Sequence, residues 1–324
     1  MPKLICLFVA VSATAAETEV DRAVDRGFEF LRKCQREDGA FDQNIAVHGL
    51  AVMAFLARGH VPGSGPDGER VERGLAFTIS EQREDGAILG RGGRMYGHGI
   101  SALLLAEAAG MSKNDRVQVA LRKACELILR AQAHPKSKQH QGGWRYEPHS
   151  ADADISVTGW QLLALRAAKD CGVNVPADAI EQAVGFVKRC ASRDGGFGYQ
   201  PGGGPGLART GCGMVSLQMC GHYDAEEVRR GAEWVRKRGL RWEDDHFYYA
   251  IYYVTQAMYQ RGGDDWLWWK SQLEHILLQH QKADGSWEFA PHAGNERQGG
   301  PVYTTSMAIL SLCVQYHYLP AYQR

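Results

Sequence analysis

Two aspartates two residues apart, Asp152 and Asp154, follow a Gly142-Gly143-Trp144-Arg145-Tyr146 turn and precede an apolar run from Trp160 to Ala168. Carboxyls this close resist ionising together, so one of them can keep a proton and act as a Brønsted acid. The same residues suit a plainer task. Asp154, Ser156 and Thr158 stand where a helix begins, and such side chains accept hydrogen bonds from the free N–H groups of the first turn. On residue types alone, capping outweighs proton donation. His48, His98 and Cys212 are competent metal ligands, yet they lie on separate segments without ligand spacing, so no metal or cofactor is expected. Cys212 near a helix start has a reactive-thiol reading, but a small buried side chain is the weightier one. Tyr249, Tyr252 and Tyr253 share a helical face, a wall able to hold a cation or a sugar as well as to pack a core. Their hydroxyls need partners, which favours a wet cavity wall.

These residues are carried by a repeated unit. Arg26, Gly27, Phe30, Leu31, Gln35, Asp38, Gly39 and Phe41 recur as Arg73, Gly74, Phe77, Gln82, Asp85, Gly86 and Ile88, and again as Ile276, Leu277, Gln281, Asp284, Gly285 and Trp287. Weaker copies run through Gln132, Gly143 and Trp144, through Phe186, Val187, Asp194, Gly195 and Phe197, and through Arg230, Gly231, Trp234, Val235 and Gly239. Repeats of roughly 40 to 60 residues imply stacked supersecondary units. Each copy has apolar residues at helical spacing and stops at a glycine, the common left-handed helix terminator. A more apolar run follows each stop: 46–56, 96–109, 156–168, 210–220, 247–258 and 304–314. Helices apolar on all sides are buried. The pattern predicts an all-α fold of six helical hairpins, twelve helices in an α6/α6 toroid.

Aligning the inner runs places Gly49, Gly99, Gly159, Gly213, Ala250 and Ser306 in one column of small residues, preceded by His48, His98, Thr158, Cys212, Tyr249 and Thr305. If that polar column faces the axis, it lines the mouth of a cavity at the end that carries Asp152 and Asp154. Trp144, Trp160, Tyr252, Tyr253 and Tyr303 complete the expected lining.

The 324 residues hold 37 Lys plus Arg against 37 Asp plus Glu, a balance that leaves no basic field for nucleic acid or anionic membrane. Residues 1–15, with Lys3, an apolar run from Leu4 to Val11 and Ala13-Thr14-Ala15, read as a short secretory signal peptide, and 16–324 as one toroid. No later segment reads as a transmembrane helix. An exported periplasmic or extracellular protein would retain seven scattered cysteines, Cys34, Cys125, Cys171, Cys190, Cys212, Cys220 and Cys313, an odd set that implies no disulfide framework.

The Arg-Gly, Gln and Gly-aromatic order resembles the QW motif of the prenyltransferase and squalene cyclase repeat family. The resemblance covers nearly all of 16–324 and implies an α/α toroid in which the Gln and aromatic residues tie hairpins together. Within that family, the Trp144 to Thr158 segment looks like the squalene–hopene cyclase stretch where a Gly-Gly-Trp turn precedes Asp-x-Asp-Asp-Thr. The resemblance makes Asp154 the acid that protonates an alkene and Asp152 the first aspartate, while Ile155 stands in place of the third. It argues against the zinc site of protein prenyltransferases, whose Asp-x-Cys and His positions correspond to Thr210, Cys212 and Tyr303. It argues also against a complement-like thioester, since Gly211-Cys212-Gly213-Met214 lacks the Glu-Gln. Three functions stand as alternatives: isoprenoid chemistry through Asp154 on an apolar small molecule; noncatalytic binding of a lipid, peptide or glycan; and carbohydrate processing, for which Asp244, Asp245 and Glu296 are the stray carboxylates.

Overall fold

Asp-Gly and Gly-Gly turns divide the chain into alternating amphipathic and uniformly apolar helices. The computed structural model describes residues 18–91, 94–316 and 318–320, so the proposed signal segment lies outside the described residues. Twelve α-helices are described: α1 (Glu19–Cys34), α2 (Ile45–Ala57), α3 (Gly68–Ser80), α4 (Arg94–Met111), α5 (Asp115–Ala133), α6 (Ile155–Asp170), α7 (Ala177–Arg189), α8 (Leu207–Met219), α9 (Glu226–Arg238), α10 (Phe247–Arg261), α11 (Gly263–Gln279) and α12 (Gly300–Leu312). Among the described residues no β-strand forms, only isolated bridges at the hairpin turns.

Even-numbered helices form the inner ring. Each packs on the next, α2 on α4, α4 on α6, α6 on α8, α8 on α10, α10 on α12, and α12 returns to α2. Every residue of α2 is buried, whereas α1 buries one stripe that includes Val20, Val24, Phe28 and Leu31. That contrast follows from position, because an inner helix meets protein on all sides and an outer helix on one.

The repeated glutamine is a clamp. Gln35 Nε2 donates to the turn carbonyl of Gly39 at 3.0 Å and to Arg70 of the next outer helix at 2.9 Å. Gln82 joins Gly86 and Ala120, Gln132 joins Gly142 and Ala179, and Gln281 joins Gly285 and Ala23, all at 2.8 to 3.1 Å. The last of these reaches α1 and so closes the ring. Repeat arginines hold the other end of the amide: Arg73 donates to Gln35 Oε1 and Arg26 to Gln281 Oε1. The turn glycine is required twice over. Gly285 has φ +89°, and a Cβ there would lie 2.2 Å from Arg26 O. In the third unit this position is Gly142, φ +88°, and not Gly143, because Gly142 stands two residues before Trp144 as Gly39 stands before Phe41, and the insertion lies between Gln132 and Gly142.

The polar column ahead of the small residues belongs mostly to these turns. Phe41 N donates to His48 Nδ1, Ile88 N to His98 Nδ1, Trp144 N to Thr158 Oγ1 and Trp287 N to Thr305 Oγ1. In the fourth unit the acceptor is Thr210, which takes Phe197 N at 3.0 Å. Each pairing satisfies a buried backbone N–H that the hairpin would otherwise strand.

Candidate ligand site at the toroid axis

His48 and His98 face outward, which corrects their expected place in a cavity wall. His48 Nε2 lies 3.1 Å from Gly74 O and 3.0 Å from Thr78 Oγ1 on α3, and His98 Nε2 lies 3.1 Å from Ala124 O on α5. Full burial pushes both imidazoles down to about 4, so they are neutral hydrogen-bonding struts at physiological pH. Thr158 and Trp144 are likewise seam residues, with Trp144 Nε1 donating to Ile128 O on α5 at 2.8 Å. The structure therefore does not bring His48 and His98 together with Cys212, and among the described residues no group of three or more His, Cys, Asp or Glu is placed to hold a metal.

Asp154 is the N-cap of α6. Its Oδ1 accepts from Ser156 N and Val157 N, both at 2.9 Å, and its Oδ2 faces Arg145 Nη1 at 3.3 Å. Arg145 also reaches Asp152 Oδ2 at 3.4 Å and lies over the rings of Tyr146 and Tyr199, whose hydroxyls meet at 2.6 Å. Asp152 takes Gln200 Nε2 at 3.2 Å and remains largely exposed. The two carboxyls thus share the Arg145 guanidinium. Burial nevertheless raises Asp154 to about 6, against the opposing pull of Val157 N–H, Arg145 and Tyr199.

The axis itself is aromatic. Tyr249 on α10 approaches Tyr96 on α4, centroids 6.1 Å apart, so these rings meet across the inner ring. Trp160 on α6 stacks on Tyr252 at 5.2 Å and 23°, and Tyr253 packs against Trp160, Tyr249 and Tyr252. Close helix approach makes this possible: a Cβ on Gly159 would stand 2.3 Å from Cys212 Sγ. Cys212, fully buried between α6 and α10, donates to Ile155 O, and burial holds its thiol protonated. Tyr96, Tyr249 and Tyr303 each keep part of their surface accessible to solvent, so this aromatic cluster has an open side.

Glu296, one of the three carboxylates left outside the repeat, completes this wall from a 3₁₀ turn, Gly294–Gly299, that has no counterpart in the other units among the described residues. It caps α10: Oε1 accepts from Tyr249 N at 2.8 Å and from the Tyr303 hydroxyl at 2.9 Å, and the Tyr248 N–H also acts on the carboxyl, while the buried Oε2 makes no well-formed hydrogen bond. No cation pairs with it among the described residues. Burial pushes its carboxyl up to about 7, so half the molecules hold a proton there near neutrality. Trp160 Nε1 and the Tyr249 and Tyr253 hydroxyls also lack well-formed hydrogen bonds. The only sequence signal for Glu296 was a carboxylate just ahead of the last inner helix.

Residues 98–248 match the prenyltransferase α-α toroid domain. A squalene–hopene cyclase from Bradyrhizobium diazoefficiens is 26% identical over 200 residues, covering 52% of this chain and 29% of that protein, so the chain spans less than a third of the curated relative. The chain is a squalene cyclase-like α/α toroid. A type II terpene cyclase from Scytonema, solved with merosterolic acid A, superposes on the toroid with TM-score 0.60 at 15% identity, covering 93% of this chain and 98% of that one. An α-1,6-mannanase of Salegentibacter sp. HEL1_6, solved with α-1,6-mannotriose, gives 0.69 at 8% identity, covering 92% and 100%. At such identities the likeness is one of fold. Among the toroid's described residues no helix is long and apolar enough to cross a membrane.

Proposed function

We propose that this toroid binds a small hydrogen-bonding ligand with flat apolar faces, of the sugar class, in the axial recess beside Glu296, and that Asp154 is a helix cap and not an alkene-protonating acid. The observation that carries the reading is the contrast in charge partners of two buried helix-capping carboxyls. Asp154 caps α6 and faces Arg145, whereas Glu296 caps the first turn of α10 with no cation beside it and with one oxygen lacking a well-formed hydrogen bond. An apolar isoprenoid packed here would leave Glu296 Oε2 without a donor, a loss of about 1–3 kcal/mol for a buried group. A polyol can donate to the carboxyl while its C–H faces lie on the rings. Toroids of this shape hold a terpenoid in one solved relative and a mannotriose in another, so wall chemistry, not fold, chooses between them.

A second reading, isoprenoid chemistry at Asp154, is favoured by its full burial and raised proton affinity. Titrating the protein with glucose, mannose and N-acetylglucosamine while following tryptophan fluorescence, beside incubation with squalene and geranylgeranyl substrates, separates the two. Saturable binding of a sugar that Tyr249→Ala weakens at least tenfold is expected. A cyclised product that disappears in Asp154→Asn, or failure of every sugar to bind, would overturn the proposal. Export through residues 1–15 belongs to the same reading and is checked by the amino-terminal sequence of the secreted protein.

A further inference from the structure

Two of the six units, the fourth and the fifth, lack the clamp glutamine, and in the fourth a cleft stands in its place. Gln35, Gln82 and Gln281 each stand four residues before the turn glycine, and the residue four before Gly195 is Ala191. The equivalence is geometric as well: Ala191 bridges to Phe197 as Gln281 does to Trp287. Everything else the clamp uses is retained. The turn carbonyl is that of Gly195. The outer-helix carbonyl, three residues before the repeat arginine in Ala23 and Arg70, is that of Glu227 before Arg230. Arg230 stands where Arg26 and Arg73 hold the amide oxygen, and it turns instead to Arg193 O. A cleft of about 250 Å³ occupies the vacated place, bounded by Ala191, Gly195, Glu227 and Arg230. The seam is also looser, since a Cβ on Gly195 would clear Arg230 O by 3.0 Å where Gly39, Gly86, Gly142 and Gly285 leave 2.1 to 2.5 Å.

We propose that this notch receives a primary carboxamide supplied from outside the chain. Its NH₂ would donate to the carbonyls of Gly195 and Glu227, and its oxygen would accept from Arg230. The fold shows at four other seams that a glutamine amide fits this frame. A carboxylate of the same shape is excluded, because one of its oxygens would face two carbonyl oxygens with no hydrogen between them.

The probe is propionamide against propionate, followed through backbone amide resonances of the full chain. Propionamide is expected to shift Ser192 to Gly196 and Glu227 to Arg230 saturably in the millimolar range, with propionate at least tenfold weaker. Ala191→Gln, which refills the notch from within, is expected to abolish the shifts, and Arg230→Ala to weaken them several-fold. Equal response to both probes, no response to either, or shifts that persist in Ala191→Gln would overturn the assignment. None of these results bears on the axial recess.

Discussion

Replacing Glu296 by glutamine isolates the energetic consequence of burying a carboxyl without a counter-ion. In the folded protein its proton is held up to about 7, against 4.5 for an ordinary glutamate. A gap of about 2.5 units corresponds to about 3 kcal/mol, at about 1.4 kcal/mol per unit. The sign follows from proton counting. Between pH 4.5 and 7 the folded state binds more protons at this site than the unfolded chain, so stability is full below pH 4.5 and falls as pH rises to 7. Glutamine keeps an oxygen for Tyr249 N and Tyr303 but cannot ionise. Urea unfolding at pH 5 and pH 8 is expected to find the two proteins within about 1 kcal/mol at the lower pH, and Glu296→Gln more stable by up to about 3 kcal/mol at the higher. Asp154 contributes a slope of the same sign to both proteins and cancels in the difference. If the two pH profiles run parallel, the carboxyl is not held protonated by burial, and its place in the recess wall loses its electrostatic basis.

Gln132→Ala leaves the carbonyls of Gly142 and Ala179 without their donor, and a loss of about 2–4 kcal/mol by chemical denaturation is expected. Gly285→Ala should cost at least as much, since both the left-handed backbone and the 2.2 Å approach to Arg26 O oppose a side chain; a melting temperature within a degree or two of the parent would contradict this. The ring resonances of His48 and His98 should stay constant from pH 5.5 to 8, with midpoints near 4, and titration above pH 6 would show that they are not sealed in the seams. Asp154→Ala should lose about 1–2 kcal/mol from the α6 cap alone, and Asp154→Asn much less.

Helix number and ring closure were legible because two periodicities coincide in the sequence: amphipathic spacing in helices such as α1, and uniform apolarity in helices such as α2. The second of these also hid the site. An inner helix apolar on every side carries no marker of which face meets the axis, so His48 and His98 were assigned inward although both reach the next outer helix. Thr210 was missed as the fourth seam acceptor because the column alignment, anchored on small residues, slipped by two positions to Cys212. Tyr249 and Tyr253 meet at the axis with Trp160, but Trp160, Tyr252 and Tyr253 are fully buried, and tyrosine spacing alone does not separate such packing from a wet wall. Glu296 lies outside the repeated unit, in the stretch about which the pattern is silent.

Because Gln281 reaches back to Ala23, the ring's last hydrogen bonds join residues 258 positions apart. During translation the first five inner helices emerge with apolar flanks that only α12 and the returning contact with α2 can cover. An open solenoid gains stability with each unit added, but a closed one collects its largest increment when the final unit arrives. The half-made chain is therefore the aggregation-prone species, and a holding chaperone would act on that intermediate and not on the finished ring.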